Sequence, residues 1–162
     1  MDRLLILMRH AKAVDRLEAE DDFQRGLTGR GREDSEAAGK LLGEQGLEVD
    51  LALVSPAWRT RQTFDLIAPF LGSPPVEDPM ALYHASDTMI ERAVKTAFDQ
   101  VSRILVVGHN PGIGALAHML AAKAGASGQL PGGYPTAAAA AFSLSGEGLD
   151  EPKLVALFNP KG

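Results

Sequence analysis

Cysteine is absent from the chain, and its absence removes disulfides, thiolate metal sites and a cysteine nucleophile together. An excess of positive charge is missing too. The formal net charge is −5, which gives no general footprint for nucleic acid or an anionic membrane, so any anion site has to be a local concentration of positive charge. No apolar run approaches the length that spans a bilayer, and the N-terminal LLILM is too short for a signal-peptide core and leads straight into charge. No nucleic-acid or membrane partner is therefore expected, and the expected location is cytoplasmic. What remains is ordinary for a globular chain: 162 residues, 45% of them hydrophobic and 23% charged, enough to bury a core without staples and to form a single domain over residues 1–162.

One scheme occurs three times. Residues 3–8 are a continuous apolar run that ends at Arg9 and His10; DLALVSP ends at Ser55 and Pro56; RILVVGHNPG ends at Gly108, His109 and Asn110. Continuous apolar runs of this length suit strands covered on both faces, and helical patterns lie between them. Thr28 is placed to cap a helix that brings Ala37, Ala38, Leu41 and Leu42 onto one stripe and stops near Gly46. A second helix is expected over residues 57–71, a third from a cap at Asp87 to about Gln100, and a fourth from Gly112. LGSPPVEDP reads as turn and residues 14–26 as a surface loop. AAAAAFSL favours helix by propensity, but its short length and the preceding Pro135 suit a strand beside KLVALF. The expectation is an α/β fold, a three-layer sandwich with a mostly parallel central sheet and helices on both faces.

In such sheets ligands lie outside the carboxyl ends of the strands. Arg9, His10, Arg59 and His109 would then meet in one crevice although about fifty residues separate each group from the next. Two guanidinium forks match phosphoryl oxygens, and helix N-termini at Pro56 and Gly112 would add backbone donors. Without cysteine, phosphoryl transfer through the protein needs another nucleophile, which a neutral imidazole supplies. Nearby arginines disfavour a second cation and would hold His10 neutral.

RHAKA, SPAWRTRQT and VVGHNPG, in this order and at strand ends, resemble the signature of the histidine phosphatase superfamily, also called phosphoglycerate mutase-like. DDFQRGLTGRGRED and ALYHAS are similar to its SixA-like phosphohistidine phosphatase branch. The resemblance implies that His10 becomes phosphorylated, that Arg9 and Arg59 clamp the phosphoryl group, that His109 completes the pocket, and that water releases inorganic phosphate with no metal and no cofactor. Many superfamily members carry an acid where MALYHASD places Tyr83; a phosphoramidate, whose leaving nitrogen needs little help, tolerates that departure. The implied partner is a protein carrying phosphohistidine. A phosphatase for small phosphorylated substrates such as sugar phosphates, and a non-catalytic phosphate-binding adaptor, stay open as alternatives.

Other residues carry weaker readings. Arg25 and His84 are candidates for substrate binding at the rim, and Lys12 for guiding an anion. Asp87 reads as a cap before an acid catalyst, Arg61 as a surface or acid-paired cation, and His118 as structural. Glu20, Asp21 and Asp22 read as solvated loop rather than a metal cluster, because consecutive side chains do not point to one centre.

Overall fold

The computed structural model describes residues 2–161. Its six strands are β1 (Arg3–Arg9), β2 (Leu51–Val54), β3 (Val76–Glu77), β4 (Arg103–Gly108), β5 (Ala139–Leu144) and β6 (Pro152–Phe158), and its helices are α1 (Gly29–Glu44), α2 (Trp58–Ile67), α3 (Asp87–Ala97) and α4 (Gly112–Lys123). The strands form one sheet in the order β3-β2-β4-β1-β5-β6. The first four of these run parallel, whereas β5 is antiparallel to both β1 and β6. This is the expected α/β sandwich with a mostly parallel sheet.

The apolar runs explain the layering. Side chains alternate across a strand, so Leu5, Leu7, Leu53, Ile104 and Val106 face one way, onto Ile90 and Val94 of α3 and Ile113, Leu116 and Leu120 of α4. Leu4, Ile6, Met8, Ala52, Val54, Leu105 and Val107 face the other way, onto Ala38 and Leu42 of α1 and Phe64 and Ile67 of α2. Each large apolar side chain removed from water in this way contributes about 1.5–3 kcal/mol. That is why, past the arginine that opens each strand, no polar residue interrupts β1 or β4 before its carboxyl end.

Several boundaries differ from expectation. The five alanines do lie in and beside strand β5: Ala137, Ala139 and Ala141 enter one core and Ala138 and Ala140 the other. Burial on both faces of a sheet covered closely by helices overrides helix propensity there, because small side chains let the layers approach. Thr28 caps α1 as read, accepting from Gly31 N at 3.0 Å, and Gly46 turns the chain with φ +74°. The second helix begins at Trp58, not at Pro56, and beyond Ile67 it tightens into a 3-10 turn over Ala68–Leu71. Ser86, not Asp87, caps α3, its side chain accepting from Met89 N at 3.2 Å, and the helix ends at Ala97 rather than near Gln100. Val76–Glu77, read as turn, pairs with β2 as a two-residue edge strand; prolines on both sides hide so short a strand from any periodicity.

Candidate active site

The topology puts β4 between β2 and β1, so the carboxyl ends of all three strands are neighbours. His109 follows β4, with His10 on one side and Ser55 and the first turn of α2 on the other. Local hydrogen bonds fix how these segments turn inward. Thr60 Oγ1 donates to the carbonyls of Ser55 at 2.6 Å and Ala57 at 2.7 Å, which ties the start of α2 to the end of β2. Thr63 Oγ1 accepts from Ala11 N at 3.0 Å and so joins α2 to the chain just after His10.

His10, Arg59 and His109 are buried, with 7%, 1% and 3% of their surface exposed. The two imidazole rings lie 5.4 Å apart between centroids. The ring of His10 has its Nδ1 2.8 Å from Ala11 O. A carbonyl only accepts, so Nδ1 carries the proton and the lone pair is on Nε2. For His109 the partners reverse the tautomer. Arg59 Nη2 donates to its Nδ1 at 3.3 Å, and its Nε2–H donates to Ser55 Oγ at 2.7 Å. Arg9 donates weakly from Nη1 to Tyr134 O at 3.4 Å, and its buried Nε has no partner.

Burial is the main reason that both rings are neutral. It lowers the pKa of His10 to about 3, with Arg59, Arg9 and Arg25 adding to the effect against a hydrogen bond to Ala11 that opposes it. His109 falls to about 2, again chiefly by burial, then through His10 and Arg59. The sequence pointed to the arginines as the cause; they act in the expected direction but rank behind desolvation. Arg9 too is pushed below its ordinary value, by burial and by the nearby guanidinium of Arg59.

One residue of this cluster was misread from the sequence. Asp22, taken as part of a solvated loop, binds Arg59 twice: Nη1 donates to its carbonyl at 2.7 Å and Nη2 to its carboxylate at 3.0 Å. The same carboxylate accepts from Arg25 Nη1 at 2.9 Å and from Tyr83 Oη at 2.5 Å, and lies 3.1 Å from His84 Nε2. Burial works against its charge, but the hydrogen bonds from Tyr83, Arg25, His84 and Arg59 win and hold the carboxyl well below the usual carboxylate range. Arg25 and His84 therefore reach the site through Asp22. The His84 ring also lies 4.6 Å from the His109 ring at a tilt of 43°, and Tyr83 meets that ring edge-on at 5.7 Å. A clue in the sequence is the spacing of Asp22 and Arg25, three residues apart within an otherwise aperiodic stretch. Arg61 pairs with Asp78 outside the cluster, as read, and His118 lies in α4 against Tyr134. Among the described residues no group of three or more His, Cys, Asp or Glu is arranged to hold a metal ion, and no helix is long and apolar enough to cross a membrane.

Known proteins share this arrangement of strands. The profile of the histidine phosphatase superfamily (branch 1) matches residues 5–82. An uncharacterised protein of Mycobacterium tuberculosis is 32% identical over 155 residues, which cover 93% of this chain and 96% of that protein. The chain belongs to the histidine phosphatase superfamily. Membership of the histidine phosphatase superfamily puts it in the phosphatase class of enzymes. Phosphohistidine phosphatase SixA of Escherichia coli is 29% identical over 147 residues, 89% of this chain and 87% of that protein. The crystal structure of an Agrobacterium tumefaciens protein provisionally named phosphohistidine phosphatase SixA superposes with a TM-score of 0.85 at 26% identity, covering 99% of both chains.

Proposed function

We propose that the chain is a metal-independent phosphohistidine phosphatase that works through a phosphorylated His10. The observation that carries this reading is the tautomer of His10: with Nδ1–H bound to Ala11 O at 2.8 Å, Nε2 keeps its lone pair in a buried ring that stays neutral. The Nε2 lone pair attacks phosphorus in line, the bond from phosphorus to the substrate nitrogen breaks, and the departing imidazole takes a proton from solvent. Water then attacks the phosphoryl group, the bond to His10 Nε2 breaks, and inorganic phosphate leaves with His10 neutral again. Arg9 and Arg59 hold the equatorial oxygens, where donors already in position stabilise developing charge. His109 orients Arg59 through its Nδ1, and Arg25 and His84 hold the Asp22 carboxylate that fixes Arg59 from the other side.

The choice of a nitrogen leaving group follows from proton supply. Asp22 is the carboxylate among these residues, and its pKa is driven down, so it has no proton to give. Tyr83 Oη is pushed the other way, by burial and by Asp22, and already donates to that carboxylate. An alkoxide would leave such a site poorly, whereas phosphohistidine needs no strong acid. The SixA relatives support the same substrate.

The test is to incubate the enzyme with a radiolabelled phosphohistidine protein and quench in base. Acid-labile phosphate trapped on the wild type and absent from His10→Ala is the expected result, together with faster turnover of N-phosphoimidazole than of alkyl phosphates. Faster ester turnover replaces the reading with a phosphatase for small phosphate esters. Phosphate bound without turnover or label replaces it with an adaptor.

A further inference from the structure

Beside the cluster just described lies a recess of about 580 Å³, and Arg9 belongs to both. Its walls carry Arg9, Lys12, Arg30 and Lys161 against one carboxylate, Asp34, in a chain whose net charge is −5. The cations come from separate segments: the end of β1, the loop after it, the first turn of α1 and the last described residue. Such convergence of one charge sign in a concave site, within an otherwise acidic protein, focuses the field on an anion.

The recess is built rather than incidental. The Lys12 carbonyl accepts from Thr28 N at 2.9 Å and from Thr28 Oγ1 at 3.2 Å. Gly31 packs against the same carbonyl so closely that a Cβ there would lie 2.2 Å from it. These contacts lock the loop onto the start of α1 and set Lys12 next to Arg30. The opposite wall, residues 132–136, is tied down by Asn110, whose side-chain amide donates to Gly133 O at 2.8 Å and to Tyr134 O at 3.0 Å. Tyr134 Oη in turn donates to Leu7 O inside the sheet at 2.6 Å.

We infer that this recess is a docking subsite for acidic side chains that flank the phosphohistidine on the substrate protein, a deepening that rests on the function proposed above. Its cations favour carboxylates on a protein surface over a second phosphate of a small molecule. A phosphate is best held by a free guanidinium fork, but Nε of Arg30 is already 3.2 Å from both Asp34 oxygens. Arg9 faces the reacting group in the proposed mechanism. What remains is the Nη pair of Arg30, its charge shared with Asp34, and lysine point charge, which together suit several mobile carboxylates in varied positions. The docking also answers a problem of the whole molecule: an acidic enzyme otherwise repels an acidic partner, and a basic recess next to the reacting histidine orients the encounter.

The test uses Lys12→Glu and Arg30→Gln, both exposed positions, with two phosphohistidine peptides, one flanked by Asp and Glu and one by Ala and Gln. N-Phosphoimidazole, which has no flanks, reports the chemistry alone. Arg30 is absent from the charges that bear on His10, so Arg30→Gln is expected to turn over N-phosphoimidazole within about twofold of wild type. Lys12→Glu is read by the ratio of the two peptides, in which any general effect on anions cancels. Wild type should prefer the acidic peptide by about tenfold in kcat/KM, through KM, with the preference shrinking as salt rises and vanishing in Lys12→Glu. Equal turnover of the two peptides by wild type overturns the inference, as does an unchanged preference in both variants or a preference confined to small bisphosphates. Failure of the proposed function is read separately, as no hydrolysis of N-phosphoimidazole by wild type. In that event fluorescence anisotropy of the unphosphorylated peptides decides. Tighter binding of the acidic peptide that Lys12→Glu removes supports the subsite, and equal binding overturns it.

Discussion

Two neutral imidazoles and the Arg59 guanidinium are buried, with Arg9 partly exposed beside them, and the protonation of the rings follows from burial first and from partners second. His10 and His109 are held at about 3 and about 2, so both stay neutral well below the pH at which an exposed histidine charges. Long-range proton–nitrogen NMR should find neither ring titrating between about pH 8 and 5, with the proton on Nδ1 of His10 and on Nε2 of His109. A ring that titrates near its ordinary value would contradict the burial described. Asp22 supports Arg59 through carbonyl and carboxylate together. Asp22→Asn should lower kcat/KM about 10–100-fold by loosening that guanidinium, as loss of an outer partner commonly does, with partial recovery in Asp22→Glu. An unchanged or higher kcat/KM would mean that the carboxylate merely occupies the anion site. Arg9, His10 and His109 were legible because they follow apolar runs in places where a charge has no structural use, and Arg59 by its spacing from Ser55 and Pro56. Asp22 was not, since an acidic loop residue looks the same in sequence whether solvent or an arginine receives it.

Elements meet closely at the site, and the glycines show how closely. A Cβ on Gly112, the first residue of α4, would lie 2.0 Å from Ala85 O. That contact seats α4 against the segment carrying Tyr83 and His84. Gly112→Ala therefore forces backbone apart, an overpacking that costs about 1–3 kcal/mol. The urea midpoint should fall accordingly and activity should fall with it as His84 moves from Asp22. Activity retained alongside lost stability would show that the position of His84 does not matter to turnover. The four helices and the long apolar strands were legible from the pattern of apolar residues, but β3 was not, and neither were most element ends. Ser86 and Asp87 are both good caps by composition, and only the bond from Met89 N to the Ser86 side chain separates them. Strand β5 shows the same limit, because alanine is silent about whether one face or both are covered.

Stability of the whole molecule should carry the mark of these buried groups. An unfolded chain binds protons at His10 and His109 near their ordinary value of 6.5, whereas the folded chain refuses them until about 3 and about 2. The unfolded state thus holds more protons between those limits, and stability falls as pH falls below about 6.5. Asp22, whose folded pKa is depressed below its ordinary 3.8, adds stability that is present above that value and lost beneath it. Melting temperature should decline steadily from about pH 6.5 to 4, and His10→Ala should flatten that decline. A wild-type Tm constant over this range would count against neutral burial.

The amino-acid sequence alone determined the class of fold and the candidate residues at the strand ends, because continuous apolar runs must be buried and basic residues placed directly after them need a partner or a ligand there. Tertiary structure decided which charges touch. Three strand ends far apart in the chain became neighbours only through the sheet order, and that order brought Asp22 to Arg59 and set Lys12 beside Arg30. Hydrogen-bond partners then chose the tautomers of His10 and His109, which no pattern along the chain encodes.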